Sequence, residues 1–337
     1  PDNGLLTPLI LDAEAAGLPI EYVHLENPEY WLPNVSRTFH GRDIFAPVGA
    51  HLFNGVAMYS LGSRFNTPVR LDMKLPEPIP GGWRAQIIVI DDKWQAAYGS
   101  NCIDTGKWPD LPGFIKQRHS AGQKVLLWLK AWDPEGIPTA ECITNTAGRP
   151  LAVDPTQPTF RSRMLENIHM LLSAEGVDAD GFKIDFSARI PSGPGMHLDG
   201  KAWGLELMRC YLDLIYTSAK AAKADALVMS HTPHPYLADV VDMIRLNDIN
   251  TGKPIPAAMT HRARVARIAC PDALIDTDNW PMPNKSAWAE YTALQPELGI
   301  PALYFDRGID ATGEHFTDAD YQLIRDTWDN YRRMKLE

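Results

Sequence analysis

The sequence of 337 residues predicts an α/β protein built as a (β/α)8 barrel, the TIM barrel. From residue 84 onward, short apolar runs alternate with stretches whose apolar residues recur at helical spacing. Continuous apolar runs are typical of parallel strands that are buried on both faces. The length suits one large barrel, and a composition of 45% hydrophobic and 22% charged residues is enough to form its core.

Eight strands are predicted in chain order. The first is Glu21–Leu25, followed by a helix around Asp43–Phe53, and we expect this strand to lie beside Gln86–Ile90 and close the barrel. An extra strand is predicted at Val69–Met73, within a Pro-rich connection. The seven later strands are predicted at Gln86–Ile90, Val125–Leu129, Gly181–Phe186, Ala226–Met229, Met243–Leu246, Ala273–Ile275 and Ala302–Phe305.

Three of the intervening helices have a clear apolar face. The residues that form these faces are Phe160, Met164, Ile168 and Leu171 in one helix, Leu205, Met208, Leu212 and Ile215 in another, and Tyr321, Ile324, Trp328 and Tyr331 in the last. Thr317 is the predicted N-cap of the last helix. Helices with one apolar face between buried strands are what a parallel β/α architecture requires.

The formal charge of −10 argues against a nucleic-acid partner, because phosphate binding needs a basic surface. The same charge disfavours anionic membranes, and no apolar run is long enough to span a bilayer. The four cysteines are far apart and lack metal-ligand spacing, so we expect reduced thiols and no metal. No signal peptide is visible, which predicts a cytoplasmic protein, and the sequence leaves a monomer and an oligomer both open.

The first part of the chain carries a long and specific signature. The strings PDNGLLTPLI, ENPEYWLPNVSRTFHGRDIFAPVGAHL and PEPIPGGWRAQIIVID resemble the S-adenosylmethionine (SAM) hydroxide adenosyltransferases, the SAM hydrolases related to fluorinase. The resemblance covers residues 1–91, a slice of that family's N-terminal domain. We therefore predict a SAM-hydrolase-like segment over residues 1–83 that supplies the first strand and helix of the barrel.

Residues 84–337 resemble a different group, the clan of α-galactosidases and α-glucosidases in glycoside hydrolase families 27, 31 and 36. The matching strings occur in the clan's order and are IIVIDDKW, KWPDLPGFIKQRHSAGQKVLLWL, DGFKIDF, DMIRLNDI and LGIPALYFD. The resemblance implies a retaining exo-α-glycosidase that needs no cofactor and acts on a small oligosaccharide or α-glycoside. The chain is thus predicted to be a chimera, with the junction inside Ile87–Asp92.

Glycoside hydrolysis needs two carboxyl groups across the scissile bond. Asp185 ends the strand Gly181–Phe186, and with a period of two Lys183 shares its barrel-facing side. A buried lysine needs a charged partner, and we expect Lys183 to pair with Asp185. The clan's KxD motif has this arrangement, so the resemblance implies that Asp185 is the nucleophile and that Lys183 binds substrate.

The second carboxyl is predicted at Asp248. It follows Arg245 at the end of the sixth strand, where the clan carries its acid/base after an arginine that binds substrate. The spacing from Arg245 to Asp248 is one residue shorter than in many members of the clan. Asp276 and Asp278 in IDTDNW, at the seventh strand end, are therefore alternatives for the acid/base.

The remaining site residues are predicted around the second strand. In the clan an acidic pair here, Asp91 and Asp92, binds hydroxyls of the terminal sugar, and Trp94 forms a wall of the pocket. Trp128 is either a second wall or a core residue. Two other functions stay open: an inactive barrel that at most binds sugar, and a SAM- or adenosine-binding remnant in the first segment.

Overall fold

A computed structural model describes residues 10, 13–14, 17–36, 40–69, 77–79, 82–84 and 87–336. These residues divide into two compact units, one before residue 74 and one from residue 74 onward. Most of the extra strand predicted at Val69–Met73 lies outside the described residues, as does Gln86.

In the first unit, a π-helical turn at Gly41–Phe45 leads into an α-helix at Ala46–Phe53, which agrees with the predicted helix. The α-helix continues the π-helical turn without a break, since the Ala46 N–H donates to the Gly41 carbonyl. A strand at Tyr22–Val23 pairs with Arg64–Phe65 in antiparallel orientation.

This pairing corrects the prediction that Glu21–Leu25 is the first strand of the barrel. Tyr22 lies directly opposite Phe65, with ring centroids 5.5 Å apart, and the ring of His24 stacks on Phe65 at 4.3 Å. Such cross-strand aromatic contacts stabilise an antiparallel pair locally. Within the described residues, the strand therefore belongs to a two-stranded sheet of its own.

The second unit is built on a six-stranded parallel sheet, curled as half of a barrel. We number its strands in chain order, and each pairs with the next in the sequence: β1 Ile87–Ile90, β2 Lys124–Lys130, β3 Gly181–Asp185, β4 Leu227–Ser230, β5 Met243–Arg245 and β6 Leu274–Asp276. These strands confirm six of the predicted runs. Their carboxyl ends lie at one edge of the sheet, because all six run in the same direction.

The predicted strand Ala302–Phe305 does not form a ladder in the described structure. Only Ile300 continues the sheet, through one parallel bridge to Asp276. Pro301 has no N–H to donate, and the next residues satisfy their backbone groups with side chains instead. A closed ring of eight strands is therefore not present among the described residues.

Six helices complete the second unit: α1 Leu111–Ser120, α2 Pro158–Leu172, α3 Gly204–Ala222, α4 Ile255–Ala269, α5 Lys285–Leu298 and α6 Asp318–Leu336. The apolar faces predicted for α2 and α3 are buried except for the partly exposed Leu205. Thr317 occupies the N-cap position of α6, since its carbonyl accepts the N–H of Tyr321.

The core of the second unit contains two large groups of buried apolar side chains, besides a small group of Leu126, Met229 and Met243. One packs β1–β4 against α1–α3, and the other packs β5 and β6 against α4–α6. Antiparallel pairs are added in loops at Glu77–Ile79 with Gly82–Arg84, Cys142–Thr144 with Pro150–Val153, and Gly308–Ile309 with Glu314–His315. None of the described helices combines the length and apolarity needed to cross a membrane.

Candidate active site

Charged and aromatic side chains converge at the carboxyl ends of the strands. Asp91 follows β1, Lys183 and Asp185 end β3, Arg245 ends β5, and Asp276 ends β6. Parallel strands bring side chains from distant parts of the sequence to this edge, which is where (β/α) barrels carry their catalytic groups.

Asp185 is the most heavily contacted carboxylate of the site. Its Oδ1 accepts hydrogen bonds from the Phe186 N–H at 2.8 Å and from Arg245 Nη2 at 3.1 Å, and its Oδ2 lies 3.3 Å from the indole Nε1 of Trp128. Burial on its own would raise the pKa of Asp185. The Arg245 guanidinium and these hydrogen bonds outweigh burial, so the pKa lies below its usual value. Asp185 is therefore ionised at neutral pH.

Arg245 contacts three carboxylates. Besides Asp185 it donates from Nη1 to Asp248 Oδ1 at 2.8 Å and to Asp278 Oδ2 in a short ion pair. Only 3% of the arginine side chain is exposed, so these contacts replace its hydration. Because both terminal nitrogens belong to one rigid guanidinium, the Oδ1 atoms of Asp185 and Asp248 are at most about 8 Å apart.

The two candidates for the second carboxyl differ in accessibility. The Asp248 side chain is 51% exposed and can reach a bound molecule, whereas the Asp278 side chain has no exposed surface. Burial raises the pKa of Asp278 despite the opposing charge of Arg245. Asp278 therefore contacts Arg245 from the protein interior, whereas Asp248 contacts it from the solvent-exposed side.

Asp276, the third candidate, accepts the backbone N–H of Asp278 at 2.9 Å. Burial of its carboxyl group, together with the negative charge of Asp278, raises the pKa of Asp276 to about 6. The residue keeps some exposed surface. Within the described residues no hydrogen bond or ion pair joins it to Asp185 or Arg245, so it is less directly connected to the site than Asp248.

Lys183 has a different partner from the one predicted. Its Nζ lies 2.6 Å from Asp91 Oδ2 and 2.8 Å from the Tyr304 hydroxyl, and no ion pair to Asp185 forms in the described structure. The strand alternation does place Lys183 and Asp185 on one side of the sheet, as predicted. Asp185, however, is already satisfied by Arg245, and the ammonium group pairs with the carboxylate two strands away.

The acidic pair after β1 separates in the structure. Asp91 faces Lys183, with its side chain 43% exposed. Asp92 is exposed and accepts a hydrogen bond from the Tyr98 hydroxyl at 2.7 Å. The strand ends at Ile90, and Asp92 already belongs to the turn that follows, so only Asp91 contacts Lys183.

The two predicted tryptophans lie largely inside the protein. Trp94 is only 1% exposed, and its Nε1 donates to the carbonyl oxygen of Trp128 at 2.7 Å. This burial contradicts the prediction that Trp94 forms a wall of an open pocket. The Trp128 ring is also buried, at 3% exposure, but its N–H edge is directed at Asp185 and so belongs to both core and site.

Two residues of the site were missed by the sequence analysis. His231, after β4, accepts the Ser187 N–H through Nε2 at 3.1 Å and lies 3.7 Å from Asp185. Burial, followed by the charge of Arg245, lowers the pKa of His231, so its imidazole is neutral at pH 7. Tyr304 reaches Lys183 from the segment after Ile300. The position of His231 directly after a predicted strand was the one signal available for it.

The backbone around these groups adopts conformations that are costly for residues other than glycine. Phe186, Asn247 and Asp278 have φ values of 59°, 69° and 51°. Phe186 directly follows Asp185, Asn247 directly precedes Asp248, and Asp278 is itself a residue of the site. Strain of this kind persists where the surrounding structure holds functional side chains in place.

No group of histidine, cysteine or acidic side chains in the described part of the chain has the arrangement of a metal site. His231 and His234, which share an HxxH spacing, have separate roles. His231 faces Asp185, while His234 Nδ1 accepts the backbone N–H of Tyr236 at 3.0 Å and caps a short helical turn.

The first segment is similar in sequence to a family of known proteins. Residues 1–62 match the SAM hydroxide adenosyltransferase N-terminal domain. The (R)-S-adenosyl-L-methionine hydrolase of Salinispora tropica is 44% identical over 94 residues, which are 27% of this chain and 34% of that protein. The corresponding hydrolase of Thermus thermophilus is 32% identical over 145 residues, which are 42% of this chain and 52% of that protein. The chain thus spans a third to about half the length of these relatives.

Solved structures resemble the chain in fold. The cycloalternan-degrading enzyme from Trueperella pyogenes superposes with a TM-score of 0.58 and 15% sequence identity, covering 74% of this chain and 43% of that one. The cycloalternan-forming enzyme from Listeria monocytogenes gives a TM-score of 0.56 at 15% identity, with 74% and 29% covered. The chain therefore joins a segment that matches the SAM hydroxide adenosyltransferase N-terminal domain to a parallel half-barrel similar in fold to cycloalternan-degrading and cycloalternan-forming enzymes.

Proposed function

We propose that the second unit is the catalytic part of a retaining exo-α-glycosidase, of the α-galactosidase or α-glucosidase type. The observation that carries this proposal is Asp185. It is an ionised carboxylate at a strand end, linked through Arg245 to a second, exposed carboxylate at Asp248. Two carboxyl groups with different surroundings are what glycoside hydrolysis with retention requires.

In the proposed first step, a carboxylate oxygen of Asp185 attacks the anomeric carbon. The bond from that carbon to the leaving oxygen breaks, and Asp248 gives its proton to the leaving oxygen. In the second step Asp248 takes a proton from water, the water oxygen attacks the anomeric carbon, and the bond to Asp185 breaks. The bound of about 8 Å on the carboxyl separation is compatible with the roughly 5–5.5 Å typical of retaining enzymes.

The surrounding residues support this division of roles. Arg245 keeps Asp185 ionised and orients it, while the exposed side of Asp248 faces the space where a leaving group departs. Asp91 and Lys183 offer an acceptor and a donor for sugar hydroxyls beside Asp185, and Asp92 is a further acceptor nearer the surface. An acidic surface with charged hydrogen-bonding groups suits a neutral, hydroxyl-rich substrate.

The structural neighbours support a sugar substrate of this class. The Trueperella enzyme has been solved with a covalent intermediate and with isomaltose, and the Listeria enzyme with a pentasaccharide substrate. We propose further that the half-barrel corresponds to strands two to seven of a (β/α)8 barrel. The segment from Ile300 to Phe305 then lies at the position of the eighth strand, since Ile300 bridges to β6.

The test is covalent trapping. The protein is incubated with 5-fluoro-α-D-galactosyl fluoride and with 5-fluoro-α-D-glucosyl fluoride, which form the glycosyl-enzyme but release it slowly. A glycosyl adduct on the peptide that carries Asp185, found by mass spectrometry, is the expected result. Turnover of nitrophenyl α-galactoside and α-glucoside is measured in parallel. Absence of both adduct and turnover would leave an inactive, sugar-binding barrel as the better interpretation.

The family match of residues 1–62 favours a second candidate function, binding of adenosine or SAM by the first unit. Both relatives named above are SAM hydrolases, but this chain spans only part of each. Thermal unfolding of the full chain with adenosine, SAM or galactose separates the candidates. A rise in melting temperature with adenosine or SAM alone would favour the second candidate.

A further inference from the structure

We propose that Tyr304 is a specificity-determining residue of this site. Its hydroxyl donates a hydrogen bond to one hydroxyl of the sugar, and the neighbouring sugar hydroxyl donates to Asp91. The inference rests on the proposed function and deepens it, because it states which feature of the substrate the site reads. It concerns a residue that the sequence analysis did not select.

The direction of the Tyr304 hydroxyl follows from its partner. A lysine ammonium carries only donors, so in the 2.8 Å contact between Lys183 Nζ and the Tyr304 hydroxyl the phenolic oxygen is the acceptor. The phenolic proton is then free to point elsewhere. Among the described residues, the contact with Lys183 is the one hydrogen bond recorded for this hydroxyl.

Tyr304 is accessible and stays protonated. The residue is 40% exposed although its hydroxyl lies against the buried Lys183. Burial of the phenol group, with the negative charges of Asp278 and Asp276, raises its pKa well above the usual value. A neutral phenol with an uncommitted proton, on a residue that is partly open to solvent, is a donor available to a ligand.

The backbone at Tyr304 is also held in place by a buried side chain. The Tyr304 backbone N–H donates to Asn279 Oδ1 at 3.0 Å, and Asn279 Nδ2 donates to the Ala302 carbonyl at 3.0 Å. Asn279 has no exposed surface and directly follows Asp278. Tyr304 is therefore fixed to the same strand end that supports Arg245, which gives its hydroxyl a defined position relative to Asp185.

The ligand class follows from the pair of groups around Lys183. Asp91 Oδ2 and the Tyr304 oxygen lie 2.6 and 2.8 Å from one tetrahedral ammonium, so they are about 4–5 Å apart. One is an acceptor and the other a donor. Two adjacent ring hydroxyls can bridge such a pair, one donating to Asp91 and its neighbour accepting from Tyr304. The structure thus assigns recognition of a vicinal diol on the terminal sugar to these two residues.

The test measures sugar binding by isothermal titration with the full chain. The ligands are methyl α-D-galactoside, methyl α-D-glucoside and the monodeoxy derivatives of each. The proteins are the wild type, Tyr304→Phe and the control Tyr216→Phe. Tyr216 is matched because its hydroxyl also contacts a charged side chain, Asp242 at 3.5 Å, but at the opposite end of the strands. Each variant's melting temperature is checked to confirm folding.

We expect Tyr304→Phe to weaken binding of at least one parent sugar roughly three- to tenfold, the effect of one lost hydrogen bond. One monodeoxy derivative of that sugar should bind the wild type and Tyr304→Phe equally, because it already lacks the hydroxyl that Tyr304 contacts. Tyr216→Phe should bind like the wild type.

Unchanged affinity in Tyr304→Phe, an equal loss for every deoxy sugar, or no binding of either parent sugar to the wild type would overturn the assignment. Turnover and trapping at Asp185 are measured on the same proteins. Turnover with an unchanged Tyr304→Phe affinity would overturn this inference alone. A Tyr304-dependent affinity without adduct or turnover would overturn the proposed glycosidase function and leave Tyr304 as a binding residue.

Discussion

The Lys183 ammonium lies 2.6 Å from the Asp91 carboxylate, and this pair links strand β3 to the end of the edge strand β1 across the intervening strand β2. The Lys183 side chain is 5% exposed and that of Asp91 43%. An almost buried ammonium without a charged partner is more destabilising than a half-exposed carboxylate without one, because water can solvate the carboxylate.

We therefore expect Asp91→Asn and Lys183→Met each to lower the free energy of unfolding by about 1–3 kcal/mol, reduced from the fully buried case by the exposure of Asp91. The double variant should lose less than the sum, because removing both charges leaves none buried without a partner. Urea unfolding of the four proteins measures this.

The solvent-accessible pair of Lys107 with Asp104, at 3.1 Å, is the control, and its coupling is expected to be smaller because water screens the two charges. Additive losses at Lys183 and Asp91 would show that their contact contributes nothing.

The roles of Asp248 and Asp278 can be separated by leaving-group dependence. Asp248→Ala should retain activity on nitrophenyl α-glycosides, which need little protonation, and lose it on substrates with a sugar leaving group. Azide should restore its rate by attacking the glycosyl-enzyme without a base. Asp185→Ala should lose turnover of all substrates. With azide added, this variant should form the glycosyl azide of inverted configuration, because azide then attacks the substrate directly. Steady-state rates and product stereochemistry measure both.

Azide rescue of Asp278→Ala in place of Asp248→Ala would reverse the acid/base assignment. Equal losses on every substrate, with no azide response in any variant, would show that both roles are misassigned.

Asp278 should instead matter for stability. It has no exposed side-chain surface and pairs with Arg245, of which 3% is exposed. Removing one partner of a buried pair leaves an uncompensated charge and typically costs about 3–5 kcal/mol. Asp185 and Asp248 still contact Arg245, so we expect Asp278→Ala to lie at the lower end of that range. Chemical unfolding measures the loss, and a change below that of Asp248→Ala would contradict this role.

Asp276 makes a prediction about pH. Because its pKa is raised to about 6, the folded protein holds a proton that the unfolded chain releases near pH 4. Below about pH 4 the group is protonated in both states, and its burial costs little. As pH rises from about 4 through about 6 the free energy of unfolding falls, because the buried group must then lose its proton. Asp276→Asn keeps an acceptor for the Asp278 N–H and removes the titration.

The variant should therefore gain stability relative to the wild type at pH 7–8 and match it near pH 4. Unfolding free energies across this range provide the measurement, with the exposed Asp310→Asn as the control. A difference between Asp276→Asn and the wild type that does not change with pH would contradict the raised pKa.

The segment after Ile300 is predicted to depend on Asn279. This side chain pairs with the Tyr304 N–H and the Ala302 carbonyl, where a strand ladder would otherwise do so. Asn279→Ala removes the partner of the Tyr304 N–H, while the Ala302 carbonyl keeps its hydrogen bond from Gln295 Nε2 at 3.3 Å. We expect a loss of about 1–3 kcal/mol for the unpaired N–H. The substitution should also weaken sugar binding, and combining it with Tyr304→Phe should add little to that loss.

Asn284→Ala serves as the comparison, because Asn284 caps α5 by accepting the Ala287 N–H. Its expected loss is about 1 kcal/mol, without an effect on sugar binding. Sugar affinity unchanged in Asn279→Ala would indicate that Tyr304 keeps its position without the hydrogen bonds of Asn279.

The sequence by itself determined the periodic elements and the charged strand ends. Alternation along Gly181–Asp185 placed Lys183 and Asp185 on one side, and the apolar runs located six parallel strands, because both follow from local backbone geometry. Arg245 was selected through the resemblance of DMIRLNDI to the glycosidase clan, and the structure brings it to Asp185 and Asp248.

Only the tertiary structure decided which distant groups meet. The partner of Lys183 is 92 residues away in Asp91, and Tyr304 reaches the same nitrogen from 121 residues away. The burial of Trp94 and the pairing of Tyr22–Val23 with Arg64–Phe65 also depend on neighbours remote in sequence. The local sequence pattern fixes the face on which a side chain lies. Which group neutralises a charged side chain, and which residues bury an aromatic ring, depend on the tertiary packing.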